Sequence, residues 1–403
     1  MDAPANRFLS RKGPPHIATL ILLSGMSALA MNIFLPSLPG MAAYFQADYR
    51  LLQMSVAIYL AMNAILQTLI GPVADMMGRR PVILGGLVLF LLATLGCVLA
   101  PTAEIFLVFR MAQAIVAVAM VLSRAAVRDM FPPDQAASMI GYVTMGMAVV
   151  PMLGPALGGF LEQIFGWKAN FWLLFVLGGM ALALTWLDFG ETKHKSGLTL
   201  VQQFREYPEL LRSPRFWGYS MTVGLSSGAF FAYLGGAPYV GSEVYGLEPA
   251  KLGVFFGAPA AGYVLGNFIS GRFSVRFGIN RMVHGGCWIN MLGVAASVIL
   301  TALGLSSVYT FFGLMTLVGL GNGMTIPNAT AGALSVRPHL AGTASGLSGS
   351  IMLGLGAALS ALAGAVLPDG SGPMPLLIVM LVTAVAALLS ILLVIRRERT
   401  LGL

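Results

Sequence analysis

The sequence predicts an all-α polytopic membrane protein with twelve transmembrane helices, arranged as two halves of six. Two observations predict this fold class. Of the 403 residues, 57% are hydrophobic and only 9% are charged, whereas a soluble domain carries about 25% charged residues. Apolar runs close to the roughly 20 residues that cross a bilayer as a helix recur twelve times along the chain. We therefore expect lipid to be the solvent for much of the surface.

The twelve apolar runs are called spans 1 to 12 below. They cover residues 16–37, 51–74, 81–100, 103–127, 137–160, 168–188, 216–240, 250–271, 281–303, 307–330, 340–366 and 374–395. The first run is too long for the apolar part of a signal peptide, so it is expected to stay as a span. The polar segment 190–215 separates six spans from six. This predicts an N-terminal half (1–189), a cytoplasmic linker (190–215) and a C-terminal half (216–403).

Lysine and arginine are distributed unevenly between the two sides of the predicted membrane. With both termini inside, nineteen of the 23 lie in cytoplasmic segments, and only Arg50, Arg110, Lys168 and Lys251 lie in outer segments or near outer helix ends. The positive-inside rule therefore places both termini in the cytoplasm. The same bias accounts for the net charge of +8 without a nucleic-acid partner. We expect a multi-pass, monomeric membrane protein.

The two halves share a glycine pattern. A shift of 200 residues moves Gly71 and Gly78 onto Gly271 and Gly278, and both pairs bracket a charged loop that follows an even-numbered span. Internal similarity at a fixed offset indicates a structural repeat. Two parallel six-helix halves with a binding site between them near the bilayer midplane form the architecture of a secondary transporter.

The stretch GPVADMMGRRP concentrates charge and glycine between spans 2 and 3. Its candidate functional residues are Gly71, Asp75, Gly78, Arg79 and Arg80. Asp75 and Arg79 are four residues apart, so they either pair on one helix or each reach a neighbouring helix end. A single arginine here is explained by membrane anchoring. The five residues together indicate a gate at the inner face.

This stretch resembles the signature between spans 2 and 3 of the major facilitator superfamily, and the likeness extends over essentially the whole chain. The resemblance implies that family's fold. It also implies that Asp75 and Arg79 join an acidic residue at the end of span 4, forming a charge cluster that holds the outward-facing state. Asp129 matches that acidic residue. The second copy, residues 271–281, has Val275 in place of the aspartate, so the implied cluster belongs to one half only.

Arg110 lies about seven residues, roughly 10 Å, inside span 4. A charge within the membrane is costly and indicates a function, unless the side chain extends to the outer interface. The stretch FRMAQ resembles the family's R-x-x-Q-G motif, with Gln113 retained and Ala114 in place of glycine. In proton-coupled members the arginine lies near a protonatable carboxylate and tunes it.

Relatives commonly have an aspartate where this chain has Asn32, and an asparagine does not titrate. None of the fifteen acidic residues lies at the centre of a predicted span. A proton is the coupling ion that the resemblance implies, and no other cofactor is expected. Two possibilities for proton coupling stay open. One is a polar cluster of Asn32, Arg110 and Gln113, to which Asn63 and Gln67 also belong. The other is titration of Glu104 or Asp75.

The stretch GMAVVPMLGPALGG in span 5 combines small residues with proline. Its glycines and prolines are Pro151, Gly154, Pro155, Gly158 and Gly159. Small residues four apart make a close-packing face and prolines bend a helix, so packing alone is one explanation. The pattern G-P-x-x-G-G resembles the span 5 signature of the superfamily's antiporters, which are mostly exporters.

Four further stretches, LAMNIFLPSLP, VRDMF, PNATAGAL and AGTASGLSGS, resemble the drug-exporter branch related to the bicyclomycin and chloramphenicol resistance proteins. This implies small apolar or amphipathic, drug-like substrates. A site of that kind is mostly apolar with a few polar groups, and methionines adapt to varied ligands. The candidate cavity residues are Met31, Phe34, Tyr59, Met62, Asn63, Met145, Phe230, Tyr233, Tyr263, Asn267 and Asn328. The alternative for each apolar residue is contact with lipid or another helix.

Enzyme signatures are missing from the sequence. It contains no P-loop, no histidine cluster and no nucleotide-binding domain that could power transport by ATP, so catalytic and metal-ligating residues are not expected. The favoured hypothesis is proton-coupled export of small molecules by rocking of two halves. A metabolite permease or facilitator without proton coupling is the alternative, and the absence of a central acidic residue favours it. A membrane sensor or scaffold is disfavoured because no soluble domain is appended.

Overall fold

A computed structural model describes Leu9 and residues 13–130, 153–192, 207–337, 340–367 and 370–402. These residues form helices and no strands. Nine helical segments among them are long and apolar enough to cross a membrane. The prediction of an all-α polytopic membrane protein is thereby confirmed. The count of twelve spans and the division of the chain at 190–215 stay predictions.

Each predicted span of the first half contains helix. Spans 1 to 4 and 6 correspond to Ile17–Asn32 continued by Leu38–Phe45, to Tyr49–Met77, to Arg79–Leu99, to Ala103–Gln113 continued by Ala117–Met130, and to Lys168–Asp188. Residues 153–165 form the described part of span 5. Span 3 packs against spans 4 and 6, and span 1 packs against spans 4 and 6.

The second half follows the same plan. Spans 7 to 12 correspond to Pro214–Tyr239, to Pro249–Phe256 continued by Ala258–Phe277, to Ile279–Ala302, to Val308–Ser335, to Ala341–Ala365 and to Met374–Thr400. Span 10 packs against spans 8 and 9, and span 7 packs against spans 11 and 12. A short helix, Tyr207–Leu211, precedes span 7 within the predicted linker.

Proline explains two of the breaks within spans. Span 1 changes to a 3-10 turn at Leu35–Ser37, where Pro36 lacks a backbone N–H and disfavours helical geometry in the residue before it. Span 8 is interrupted at Gly257, two residues before Pro259. Span 4 also passes through a 3-10 turn, Ala114–Val116, which directly follows Gln113.

The loops after spans 2 and 8 have the same backbone geometry. Gly78 has φ 95° and ψ 152° and Gly278 has φ 84° and ψ 157°, and each lies directly before the first residue of the next helix. Only glycine adopts such angles without strain. The glycine offset seen in the sequence therefore reflects one turn that is used in both halves.

The two halves touch along spans 2 and 11. Gln53 donates a hydrogen bond to the backbone oxygen of Ser360, and the hydroxyls of Thr68 and Ser350 lie 2.7 Å apart. The two pairs join residues 307 and 282 positions apart in the chain. The side of span 2 that faces the other half is therefore held by polar contacts as well as by packing.

Spans 5 and 8 also meet between the halves, near the ends of both helices that are predicted to face outward and are called their outer ends below. A Cβ atom at Gly159 would overlap the backbone oxygen of Pro249, and a Cβ atom at Gly253 would overlap that of Pro155. The contact is thus reciprocal, with a glycine of each helix against the main chain of the other. Any side chain at either glycine would separate the two halves at this point.

We predict that Gly159→Ala lowers the melting temperature of the purified protein in detergent, because the added methyl group displaces the main chain of span 8. Overpacking of this kind costs about 1–3 kcal/mol. Gly179→Ala is the matched control, since a Cβ at Gly179 meets no atom within 4 Å and alanine favours helix. Equal melting temperatures for the two variants would contradict the contact.

Candidate functional site

Arg79 and Asp129 form an ion pair at the end of the first half that is predicted to face the cytoplasm. The Nε atom of Arg79 lies 2.5 Å from Oδ2 of Asp129, and Nη2 of Arg79 donates a 3.1 Å hydrogen bond to Oδ1. Only 7% of the Arg79 side chain is exposed, against 22% of the Asp129 side chain. The pair joins the start of span 3 to the end of span 4. The structure therefore places the sequence-predicted partner Asp129 against Arg79.

Glu191 completes this arrangement, and sequence reasoning missed it. Its carboxylate accepts hydrogen bonds from the backbone N–H groups of Arg79, at 2.9 Å, and Arg80, at 3.2 Å. These are the first N–H groups of span 3, where a negative charge is favourable. Arg80 itself donates to the backbone oxygen of Trp186 at 3.0 Å. Spans 3, 4 and 6 are thus tied together within one half.

Two members of the predicted gate cannot be placed in detail. Gly71 and Asp75 fall within the helix Tyr49–Met77, but their surroundings lie outside the described part of the structure. Gly78 provides the turn that precedes Arg79. The role of the whole cluster in holding one conformation stays a prediction.

The second half has a different polar cluster at the end that is predicted to face the cytoplasm. Glu398, at the end of span 12, accepts hydrogen bonds from Arg215 at 2.6 Å and from the Tyr219 hydroxyl at 3.0 Å. Asn280 donates to the other oxygen of Glu398 at 2.5 Å. Val275, which replaces the aspartate of the first copy, is 98% exposed. The second half therefore ties spans 7, 9 and 12 together without a counterpart of Asp75.

The first half has a related contact between its first and last spans. Asp188, at the end of span 6, accepts hydrogen bonds from the Thr19 hydroxyl at 2.6 Å and from the His16 backbone at 2.8 Å. Asp188 and Glu398 thus occupy equivalent places, each joining the sixth helix of a half to the first. Their positions at helix ends were visible in the sequence, but their partners lie about 170 to 180 residues away.

Arg110 is fully buried in the first half, so it does not extend to the outer interface. Its guanidinium lies between two aromatic rings, with its central carbon 4.2 Å from the centre of the Phe34 ring and 4.1 Å from that of Tyr59. It donates to Gln113, which donates in turn to the Thr94 hydroxyl at 2.8 Å. Cation–π contacts of this kind are attractive and are strongest when desolvated.

Asn32 is buried and lies two residues before Phe34 in the sequence. Its amide nitrogen donates to the backbone oxygen of Ala28 at 2.9 Å, while its Oδ1 is buried with no hydrogen-bond partner in the described ranges of the chain. Of the predicted polar cluster, the structure shows Arg110 in contact with Gln113. Asn32 forms its hydrogen bond within its own helix.

The candidate cavity residues separate into three groups. Phe34 and Tyr59 contact Arg110. Phe230 and Tyr233 stack with ring centres 6.3 Å apart. The amides of Asn63, Asn267 and Asn328 each donate to a backbone oxygen four residues earlier. The remaining described candidates, Met31, Met62 and Tyr263, are partly buried, and Met145 lies outside the described residues. The described contacts therefore do not join these candidates into the lining of one cavity.

Two apolar grooves lie on the first half. One of about 850 Å³ runs between spans 3 and 6 and is lined by none of the candidate cavity residues. The other, of about 390 Å³, is lined by residues of spans 2, 3 and 4 and includes Met62. Both have almost entirely apolar walls, as expected for surfaces that face lipid acyl chains.

The antiporter-like glycines of span 5 lie at contacts with other helices. A Cβ at Gly158 would overlap the backbone oxygen of Ile33 in span 1, and a Cβ at Gly154 would lie 3.3 Å from the Leu29 side chain. Gly159 packs against the backbone of Pro249 in span 8, and the backbone of Pro155 packs against Gly253 of the same span. Pro151 lies outside the described residues. The motif thus brings span 5 close to both halves at once.

The fold and these clusters define a class of protein: a polytopic membrane transporter rather than an enzyme. The chain belongs to the major facilitator superfamily, whose family model matches residues 20–361. It is 31% identical to the uncharacterized MFS-type transporter YdgK of Bacillus subtilis, over 93% of this chain and 94% of that protein.

Two further comparisons agree with this assignment. The chain is 30% identical to a chloramphenicol resistance protein of Pseudomonas aeruginosa, over 84% of this chain and 82% of that protein. This confirms the resemblance to the resistance branch that the sequence motifs indicated. Among solved structures, a bacterial homolog of the human lysosomal transporter Spinster, in an inward-facing and occupied conformation, superposes with a TM-score of 0.73. It covers 94% of this chain and 96% of its own at 18% identity, which supports the fold alone.

We predict that Asp129→Asn lowers both transport rate and stability, because it leaves the buried Arg79 charge without its counter-charge. Removing one partner of a buried pair costs about 3–5 kcal/mol, and partial exposure of Asp129 places this pair at or below the lower end of that range. The measurement is a double-mutant cycle with Arg79→Gln, scored by melting temperature and by substrate flux. Strictly additive effects of the two substitutions would show that the pair contributes nothing.

Proposed function

We propose that this transporter exports small apolar or amphipathic, drug-like compounds across the bacterial inner membrane in exchange for protons. The two halves rock about a central site, so that the site opens to one side at a time. The protein acts as a monomer with both termini in the cytoplasm, and the segment 190–215 joins the halves there. A proton is the coupling ion.

The reciprocal glycine contact between spans 5 and 8 is the observation that carries this proposal. It closes the two halves against each other at the outer ends of these helices, through Gly159 and Gly253, and it lies within the motif typical of exporters in this superfamily. Since the contact is made of main-chain atoms without a covalent or ionic bond, it separates when the halves rotate. Separation there opens a path from the centre of the protein to the outside, as release of an exported compound requires.

The relatives support a drug-like substrate. A chloramphenicol resistance protein matches most of this chain, and chloramphenicol is a small, uncharged, amphipathic molecule of the class proposed. The aromatic and methionine side chains on spans 1, 2 and 7 suit ligands of that kind.

Proton coupling requires a group that binds a proton and is reached from both sides in turn. Asn32 does not titrate. Glu162, near the outer end of span 5, is a carboxyl group beside the contact that opens in this proposal. Its Oε1 lies against Gly40 of the first span, and its Oε2 is buried with no hydrogen-bond partner among the described residues. Because Glu162 lies three residues after Gly159, opening of the outer contact would admit water to it.

The charged groups on the segments around Glu162 are engaged elsewhere. Lys168 lies over the Tyr44 ring, 5.0 Å from its centre, and Lys251 pairs with Glu248 at 3.5 Å. Glu162 therefore has no counter-charge within ion-pair distance among the described residues.

A facilitator or metabolite permease of the same fold, without proton coupling, is the second candidate. The observation that favours it is the environment of Arg110, which contains the amide of Gln113 and two aromatic rings but no carboxylate in the described part of the chain. In that case the concentration gradient of the substrate alone determines the direction of transport.

The two candidates differ in how transport responds to an imposed pH gradient. We expect chloramphenicol accumulation in reconstituted vesicles to rise about tenfold when their lumen is acidic, because outward proton flow drives drug entry. Glu162→Gln should remove the response to the gradient, whereas Glu104→Gln, which alters an exposed acidic residue at the outer end of span 4, should keep it. Asn32→Asp should strengthen the response, since it places a titratable group in span 1.

Flux of chloramphenicol that is the same with and without the gradient in the unaltered protein would eliminate the antiport proposal and favour the facilitator. Loss of the response in Glu104→Gln and not in Glu162→Gln would instead move the proton site to Glu104.

A further inference from the structure

Arg110 is a buried cation whose charge is not balanced by the described part of the protein. Its side chain is 0% exposed, and no carboxylate of the described residues lies within ion-pair distance of it. An unpaired buried charge is costly and is retained where it has a use. The two rings of Phe34 and Tyr59 stabilise the positive charge from above and below. They do not accept the hydrogen bonds of the N–H groups in the guanidinium plane.

One edge of the guanidinium has no acceptor in the part of the chain that the structure describes. Nη1 donates to Gln113, whereas Nε and Nη2 are both buried without a hydrogen-bond partner among those residues. These two nitrogens point to the same side of the planar group. An arginine edge with two parallel N–H donors matches the two oxygens of a carboxylate. The free edge is thus shaped for a planar, two-oxygen anion.

The side chains that cover the faces of the guanidinium are aromatic. Phe34 and Tyr59 present apolar ring surface on both faces of the guanidinium, and Met62 lies one helical turn after Tyr59 on span 2. The surroundings therefore suit a ligand with an apolar body and a single anionic group.

We propose that the Nε–Nη2 edge of Arg110 binds the carboxylate of a small amphipathic organic acid, and that such acids are among the transported substrates. This inference rests on the proposed transport function and names a substrate class for it. The substrate supplies the negative charge that this site lacks.

Movement of the halves offers a route to the buried edge. Tyr59 lies on span 2, whose residues Gln53 and Thr68 hold span 11 of the other half. Phe34 lies on span 1, directly before the turn Leu35–Ser37, which contacts spans 7 and 8 of the other half. Both rings that cover Arg110 therefore belong to helices held at contacts that change when the halves rotate.

The test compares three probes of one shape, 4-phenylbutyrate, 4-phenylbutyramide and 4-phenylbutylamine, bound to the purified full-length protein and measured by equilibrium dialysis at pH 7. We expect the acid to bind at least about 10-fold more tightly than the amide, because hydrogen bonds to a charged partner are the strong ones. The amine should bind more weakly than the amide, since Arg110 repels it.

Three variants show whether the preference arises at Arg110. Arg110→Gln should bind acid and amide within about twofold of each other, while its unchanged affinity for the amide shows that the site is intact. Arg110→Lys keeps the charge without the two-donor edge, so it should retain a reduced preference for the acid. Arg50→Gln removes an exposed outer cation and should behave as the unaltered protein does.

Equal binding of acid and amide by the unaltered protein, binding of none of the probes, or a preference for the acid that persists in Arg110→Gln would each overturn the inference. The measurement uses no pH gradient, so its outcome is independent of proton coupling. Conversely, loss of acid preference would leave gradient-driven export of an uncharged drug untouched.

Discussion

Close contact between helix backbones is the constraint on which the rest of this structure depends. In a bilayer the apolar surface of a helix gains nothing by leaving lipid for another helix, so association relies on van der Waals contact, and small residues permit it. The second half shows this directly: a Cβ at Gly319 of span 10 would overlap the backbone of Pro259 in span 8, and one at Gly262 of span 8 would overlap the backbone of Thr316 in span 10. The same device joins spans 5 and 8 across the two halves. The contact between spans 8 and 10, which holds the second half together, and the contact between spans 5 and 8, which is proposed to open during transport, thus both consist of glycine against backbone.

Polar groups inside the helices follow from the same constraint. Without water, each must find a partner within the protein, and most do so locally or in small networks. Asn290, for example, donates to Asn322 at 3.1 Å, and Ser226 donates to the same oxygen at 2.7 Å, joining spans 7, 9 and 10 without any charge. Against this background the free edge of Arg110 is an exception, and exceptions of this kind within a membrane protein indicate function rather than stability.

Much of the fold and part of the candidate site were predictable from sequence, and the difference between the two is physical. Span positions follow from runs of apolar residues, which are local, and the turn at Gly78 follows from a glycine motif. Asp129 was identified as the partner of Arg79 through a family motif, because 50 residues of chain separate the two. Glu191 had no such motif. It lies 112 residues from Arg79 in a polar segment that looked like linker, and its use as a cap for the first N–H groups of span 3 depends on how spans 3 and 6 pack.

The cavity predictions show where residue type alone is a weak guide. Asn63, Asn267 and Asn328 were selected because amides avoid lipid, but each donates to a backbone oxygen of its own helix. Asn328 also donates to the Ser270 hydroxyl of span 8, so these amides find partners within the protein. Arg110 has no such solution. Its N–H donors are too many for one glutamine, and the rings on its faces accept none of them. Arg110 and the charge cluster of Arg79, Asp129 and Glu191 both belong to the first half. The second half has a charged cluster of its own, Arg215 with Glu398, but Val275 there replaces the aspartate of the first copy. Among the described residues the open guanidinium edge of Arg110 lies in the first half, so in the proposed mechanism that half senses the charge of a ligand.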